Sequence, residues 1–372
     1  MKVLLITTDF LPRTGGVSVF NQGIAESMSL AGNRVWVLAP DSPGREDEKL
    51  SYKVIRYKTT KHLSNLWPSL ITLYLSLTNK IDLILLGHAA STLSAGGVLA
   101  RKLKLTRLAV LIHGYDLVYA VSCPLDKYCL GSLIRNADLV LANSGFTKDN
   151  ILKTYKCAAV KVKILNPGIW PEEFHKSTTK SNINAKEEIS ILTVCRLVSG
   201  KGLEVLLDAF TIVKGKIPKA ILEIVGQGPL LSALRDKAVE QNIQDNVLFL
   251  GKVSKEKLVI SYNGCDVFVM PSEADDKGRY EGFGIVYLEA NACGKPVIGT
   301  RHGGVPEAVE DGVTGILVDP GNAQQLADAM LLLLGNKELR NKMGQAGKQR
   351  VEDEFNWIKV AKRLETYISA IK

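Results

Sequence analysis

Thirteen short runs of branched and leucine-rich residues punctuate the chain, with helix-period stretches between them. They read as strands at Val3–Thr7, Arg34–Ala39, Val54–Tyr57, Leu83–Gly87, Leu108–Ile112, Leu139–Ala142 and Val162–Leu165. A second set follows at Ile189–Cys195, Ile221–Val225, Val247–Leu250, Val267–Met270, Pro296–Gly299 and Ile316–Val318. Phe20, Ile24, Met28 and Ala31 show the intervening period, spaced four, four and three. Near-continuous apolar strands between helices demand a parallel sheet covered on both faces. The rhythm breaks over 175–188, a polar stretch whose one large apolar residue is Ile183, and this reads as a linker. The expected architecture is therefore α/β, with two Rossmann-like, doubly wound domains at 1–174 and 189–355. A last helix, about 356–372, has no strand after it. Ligands of such sheets bind outside the carboxyl ends of the strands, so the cleft between two facing sheets is the expected active site.

Composition narrows the class. At 372 residues, 46% hydrophobic and 23% charged, the chain is neither disordered nor fibrous. The apolar stretch Leu66–Leu77 is about half the ~20 residues a membrane span needs. The N-terminal apolar run stops at Thr7-Thr8-Asp9, too early for a signal peptide, so a cytoplasmic protein is expected. Six cysteines form no C-x-x-C pair and five histidines show no ligand spacing, so no metal site is expected. Charge is uneven: the net is +10 over residues 1–180 and −1 over 181–372. A basic half favours an anionic membrane surface or a polyanion, or is simply a solvated face. Nucleic acid is not expected, because aromatic interleaving and any known motif are missing.

The loops after the strands carry the chemistry. Gly15-Gly16 opens a helix and lets an anion approach bare amides. His113-Gly114-Tyr115-Asp116 puts a histidine at a strand end beside a carboxylate. Arg196 and Lys201, among glycines, suit a diphosphate, one as a planar fork and one as a point charge. The Walker A spacing is missing. Gly226-Gln227-Gly228 begins like a dinucleotide fingerprint, but Leu231 stands where the third glycine belongs, which argues against NAD. Glu281-Gly-Phe-Gly-Ile-Val-Tyr-Leu-Glu289 sets two carboxylates eight residues apart. The amides of Phe283, Gly284 and Ile285 would open a helix towards phosphate, while Glu289, costly in an apolar helix, would meet ribose hydroxyls or a buried cation.

With these residues together, the chain resembles the retaining, GT-B fold glycosyltransferases of family 4. The likeness rests on E-x7-E at Glu281–Glu289, the following Ala-Cys-Gly-Lys-Pro-Val-Ile, Gly303-Gly304-Val305-Pro306-Glu307, Arg196 with Lys201, Gly15-Gly16 and His113-Gly114. It implies two Rossmann-like domains facing across a cleft, an acceptor-binding N-terminal domain, a nucleotide-sugar-binding C-terminal domain, and a terminal helix crossing back to the first. It also implies roles. Gly15 and Gly16 would approach the donor diphosphate, and Arg196 and Lys201 would neutralise it. Glu281 would hold the transferred sugar with amides of Phe283 to Ile285, and Glu289 the ribose. Lys252 and Val253 would line the base, and His113 would sit near the reacting sugar. No cofactor and no metal are expected, the nucleotide sugar being a substrate.

Phe10–Gly16 with Glu281–Glu289 is similar to phosphatidylinositol-mannoside-type mannosyltransferases, which favours GDP-mannose and leaves UDP-glucose, UDP-galactose and UDP-N-acetylglucosamine open. A non-catalytic sugar-nucleotide-binding protein is the alternative in another class. The acceptor is expected to be lipid-linked or a glycan. Lys53, Arg56, Lys58, Lys61 and His62 precede Leu63, Leu66, Trp67, Leu70 and Leu73, a basic run before an apolar stripe. Such a pattern suits peripheral docking on the inner face of a membrane, with Lys58, Lys61 and Trp67 on the acceptor side. The bland alternative is a core-facing helix behind a solvated strand.

Overall fold

A computed structural model describes residues 1–371 apart from 14, 45–46, 59–65, 89–90, 158 and 175–188. The expected linker and Lys61 thus lie outside the described residues. Two compact units are present, one of Met1–Gly168 with Trp357–Lys372, the other of Ile169–Asn356.

In the first unit, β1 (Lys2–Ile6), β2 (Arg34–Pro40), β3 (Lys53–Tyr57), β4 (Leu83–Leu86), β5 (Arg107–Ile112), β6 (Leu139–Ala142) and β7 (Val162–Ile164) form one parallel sheet in the order β3-β2-β1-β4-β5-β6-β7. Its helices are α1 (Gly16–Leu30), α2 (Leu66–Asn79), α3 (Ser91–Lys102), α4 (Tyr115–Ser122), α5 (Pro124–Asn136) and α6 (Gly145–Thr154). Leu5 sits in register with Val37 on one side and Leu85 on the other. The central strands are buried on both faces, which explains their unbroken apolar runs.

In the second unit, β8 (Ile189–Val194), β9 (Ala220–Val225), β10 (Val247–Gly251), β11 (Val267–Val269), β12 (Val297–Thr300) and β13 (Gly315–Val318) run in the order β10-β9-β8-β11-β12-β13. Here the helices are α7 (Leu203–Lys216), α8 (Leu231–Glu240), α9 (Lys255–Gly264), α10 (Ile285–Ala292), α11 (Val305–Ala308), α12 (Ala323–Gly335) and α13 (Lys337–Arg350). Leu207, Phe210, Leu326 and Met330 fill the core of one face, Tyr262, Phe268, Tyr287 and Leu288 that of the other.

All thirteen expected strands are present, with every boundary within one residue. The first unit ends at Gly168, short of the expected 174. Ile169 and Phe174 belong to the second unit for a physical reason: the Ile169 N–H donates to the Phe355 carbonyl at 2.8 Å, and Phe174 packs edge-on against Tyr262. The last helix, α14 (Trp357–Ser369), follows a π turn at Val351–Phe355 and lies along α1 in the first unit. Trp357 is buried there over Gly23, where a Cβ would fall 2.0 Å from the indole. Among the described residues, no helix is long and apolar enough to cross a membrane.

Candidate functional site

In the second unit the chain leaves β8 towards β9 and leaves β11 towards β12, on opposite sides of the sheet. The loops after these two adjacent strands therefore open a crevice at the topological switch point, where ligands of doubly wound sheets bind. Lys201 comes from the first loop and Glu281 from the second. They meet at 2.5 Å (Nζ to Oε2) and are largely buried, with side chains 19% and 17% exposed. Arg196 stands exposed on the loop that carries Lys201.

Backbone contacts lock the two loops together. The Glu273 N–H donates to the Gly200 carbonyl at 3.0 Å, and the Gly304 N–H, from the loop after β12, braces the second loop by donating to the Glu281 carbonyl at 2.9 Å. Gly202 has a left-handed φ of +66°, and a Cβ there would lie 1.9 Å from the Pro271 carbonyl oxygen. Only glycine combines that conformation with that approach. The fingerprint-like glycines have a packing role: Cβ atoms at Gly226 and Gly228 would strike the carbonyls of Cys195 and Leu197 in the Arg196 loop.

Burial pushes the Glu281 carboxyl up, but the Lys201 ammonium and the amides of Phe283 and Gly282 outweigh it and hold it below the ordinary value. The Phe283 amide, expected to face a phosphate, is thus turned to Glu281. Cys195 lies beside this pair, and burial drives its thiol up to about 11. Gly284 and Ile285 begin α10, as expected, while the Phe283 ring is buried against Phe355.

Glu289 is half-buried on α10. Its Oε2 accepts a hydrogen bond from Tyr262 at 2.6 Å, and no cation pairs with it among the described residues. Burial raises its carboxyl, the Tyr262 bond and Lys255 acting against that rise. Lys252 is exposed just past β10, and Val253 packs on the core. The Gly226 N–H donates to the Gly251 carbonyl at 2.9 Å, joining this loop to the one after β9.

Asp275 accepts the Lys277 and Arg279 amides at 3.0 and 2.9 Å and pairs with the Arg279 guanidinium, so it serves to fold its loop. Among the described residues, no cluster of three or more His, Cys, Asp or Glu side chains could hold a metal ion.

In the first unit the switch point lies between β1 and β4. Gly15 and Gly16 open α1 beyond β1. His113 is buried at the end of β5, its ring edge-on to Phe20 with centroids 5.3 Å apart. Its Nε2 lies 3.0 Å from the Gly87 carbonyl, and its backbone N–H donates to Asp116 Oδ2 at 2.8 Å. Burial holds the imidazole below its ordinary pKa, despite Asp116, so the ring is neutral near pH 7. His88, which sequence reasoning passed over, sits at the end of β4 with Nε2 3.1 Å from Asp116 Oδ1. Only its place beside the switch point could have flagged it.

The basic run before α2 divides in two. Lys53 and Lys58 are exposed. Arg56 is withdrawn from the surface, its side chain 7% exposed, because it pairs with Asp47 at 2.6 Å and donates to the carbonyls of Pro40 and Leu11. The core-facing alternative holds for one side of α2, where Leu75 is buried and Ile71 and Leu73 pack on the core. Trp67, Leu70, Tyr74 and Leu77 point outward, 57–64% exposed, whereas Thr72 and Ser76 are buried. Those hydroxyls bond back to Pro68 and Thr72 carbonyls at 2.7 Å. Close approach to α3 selects this face: a Cβ on Gly96 would lie 2.7 Å from Ser69 Cα.

Comparison with known proteins identifies the family and the fold. Residues 14–173 match the family model described as Glycosyltransferase Family 4, and residues 175–350 the one described as Glycosyl transferases group 1. A GDP-mannose-dependent alpha-(1-6)-phosphatidylinositol monomannoside mannosyltransferase of Mycolicibacterium smegmatis is 30% identical, covering 99% of this chain and 98% of that protein. A relative from Corynebacterium glutamicum, named for the monoacylated form of the same acceptor, is 29% identical over the same shares. Among solved structures, Anabaena Alr3699/HepE in complex with UDP aligns with a TM-score of 0.84 at 20% identity, covering 100% of both chains. Sucrose-phosphate synthase of Thermosynechococcus elongatus gives 0.82 at 23% identity, covering 98% of this chain and 97% of that one.

Proposed function

The chain belongs to the family 4 glycosyltransferases and is a hexosyltransferase of the GT-B fold, and from that premise we propose that it moves mannose from GDP-mannose to a hydroxyl of a lipid-linked acceptor, with retention. The meeting of Lys201 with Glu281 at the switch point carries this reading. Lys201 and Arg196 meet the charge that grows on the departing diphosphate. Glu281 accepts from hydroxyls of the transferred sugar, Glu289 from those of the ribose, and Lys252 and Val253 flank the base. In the first unit, Gly16 offers amides to a diphosphate and His113 a neutral ring to a sugar hydroxyl. As the bond from the sugar C1 to the phosphate oxygen breaks, the acceptor oxygen bonds C1 on the same face. Its proton passes to the leaving phosphate. The donor choice is supported by the names of the relatives, which are GDP-mannose-dependent.

The test is nucleoside diphosphate release from GDP-mannose, UDP-glucose, UDP-galactose and UDP-N-acetylglucosamine, with phosphatidylinositol monomannoside as acceptor probe. GDP-mannose turnover that needs the lipid, survives EDTA and disappears in Glu281→Ala is expected. Transfer from a UDP sugar alone would overturn the donor assignment, and no release from any donor would overturn the activity.

The reading extends to an anionic membrane as docking surface, supported by the outward stripe of α2 and by exposed Lys58. Burying a large apolar side chain is worth about 1.5–3 kcal/mol. A Trp67→Ala/Tyr74→Ala double variant should therefore bind phosphatidylglycerol vesicles at least ~10-fold more weakly in a sedimentation assay, with nucleotide affinity unchanged. Absence of wild-type binding at low salt would remove the membrane from the proposal.

A further inference from the structure

Carboxylates withdrawn from water are ordinarily paired with Lys or Arg. Glu289 is not. The neighbouring cation, Lys255, is tied to Glu173 at 2.5 Å, and the Glu289 carboxylate takes instead the hydroxyl of Tyr262 at 2.6 Å. Tyr262 is completely buried on α9, its ring tilted on Phe268 (5.7 Å) and edge-on to Phe174 (6.1 Å). The next residue, Asn263, donates to the Phe174 and Val259 carbonyls at 3.1 and 2.9 Å, so this end of α9 is fixed to its surroundings. The hydroxyl is therefore a stationary donor.

The chemistry of the partner matters. A guanidinium would engage both carboxylate oxygens and cancel the charge, whereas a phenol occupies one and leaves the charge in place. Vicinal hydroxyls are two donors that need an ionised, oriented acceptor. We infer that Tyr262 is a positioning residue, holding Glu289 so that its remaining lone pairs receive the vicinal ribose hydroxyls of the nucleotide. This rests on the ribose role of Glu289 in the proposed function, and the test separates the two.

Calorimetry on the full chain would compare GDP with its 2′,3′-dideoxy analogue, and UDP with the corresponding pair, for wild type, Tyr262→Phe and Glu289→Gln. A lost hydrogen bond to a charged group predicts about tenfold weaker ribonucleotide binding in Tyr262→Phe, with the dideoxy affinity unchanged. Besides Tyr262, the titratable and charged groups facing Glu289 are Cys293, Lys255 and Glu173. None of these is altered by the substitution. The acid limb of ribonucleotide binding should then move to higher pH, because Glu289 loses the donor that opposed its burial.

Equal wild-type affinity for the ribo and dideoxy forms would overturn the ribose role itself, and no binding of either base would overturn the donor reading beneath it. A preference abolished in Glu289→Gln but intact in Tyr262→Phe would overturn only the positioning role. Equal weakening of both forms in Tyr262→Phe, with a lowered melting temperature, would mark Tyr262 as structural and overturn it too.

Discussion

Lys201→Ala should lower kcat by about 10³-fold, the scale set by removing one preorganised charge-stabilising group from a shielded site. In the proposed function Lys201 has two tasks, meeting the diphosphate and neutralising Glu281, with which it pairs at 2.5 Å. The variant therefore also leaves a buried carboxylate without its cation. The stability deficit should be about 1–3 kcal/mol at pH 7, since both groups are mostly but not wholly shielded. Its pH dependence has a definite sign. The folded pKa of Glu281 lies below its ordinary value, so the pair's contribution is fully present above the unfolded carboxyl value. It disappears as pH falls through the folded one. The gap between wild-type and variant urea midpoints should be widest near neutrality and close on acidification below about pH 4.5. Wild-type turnover in the variant, or a gap that widens in acid, would refute the assignment.

The second large effect comes from a side chain too many. Gly202→Ala must place a Cβ 1.9 Å from the Pro271 carbonyl at a φ of +66°. The left-handed conformation alone costs about 1–2 kcal/mol, and the collision adds a shift of the backbone that carries Lys201. A total near 3 kcal/mol or more is expected, with donor affinity lost because the loops after β8 and β11 separate. Gly278→Ala is the control. Its φ is +70°, but nothing lies within 4 Å of a Cβ there, so only the conformational part, about 1–2 kcal/mol, should appear. Denaturant midpoints that fall equally in the two variants would show that the interlock of the loops is not rigid.

The strands were legible because parallel strands buried on both faces must be apolar throughout, and the site loops because strand ends are where such sheets bind. Lys201 and Glu281 follow from that logic, and Glu289 from the cost of a carboxylate in an apolar helix. The orientation of α2 does not. Trp67, Leu70, Tyr74 and Leu77 have the spacing of a core-facing helix, and only its close approach to α3 at Gly96 decides which side is hidden. Arg56 belongs by sequence to a surface charge run, yet Asp47 and two carbonyls from distant loops draw it inward. Tyr262 looks like any helix aromatic until its hydroxyl is seen against Glu289. Partners far apart in the chain leave no local periodicity to read.

Phe20 is held between two rings, His113 at 5.3 Å and Trp357 at 5.5 Å. Trp357 arrives on the ribosome only after the whole second unit, Ile169–Asn356, has been made. The part of the protein synthesised first is therefore finished last. Until α14 emerges, the hollow over Gly23 stays open and Phe20, which backs His113, lacks the ring on its other side. A nascent chain stalled before that helix would carry a mature second unit beside a first one still waiting for its closing piece.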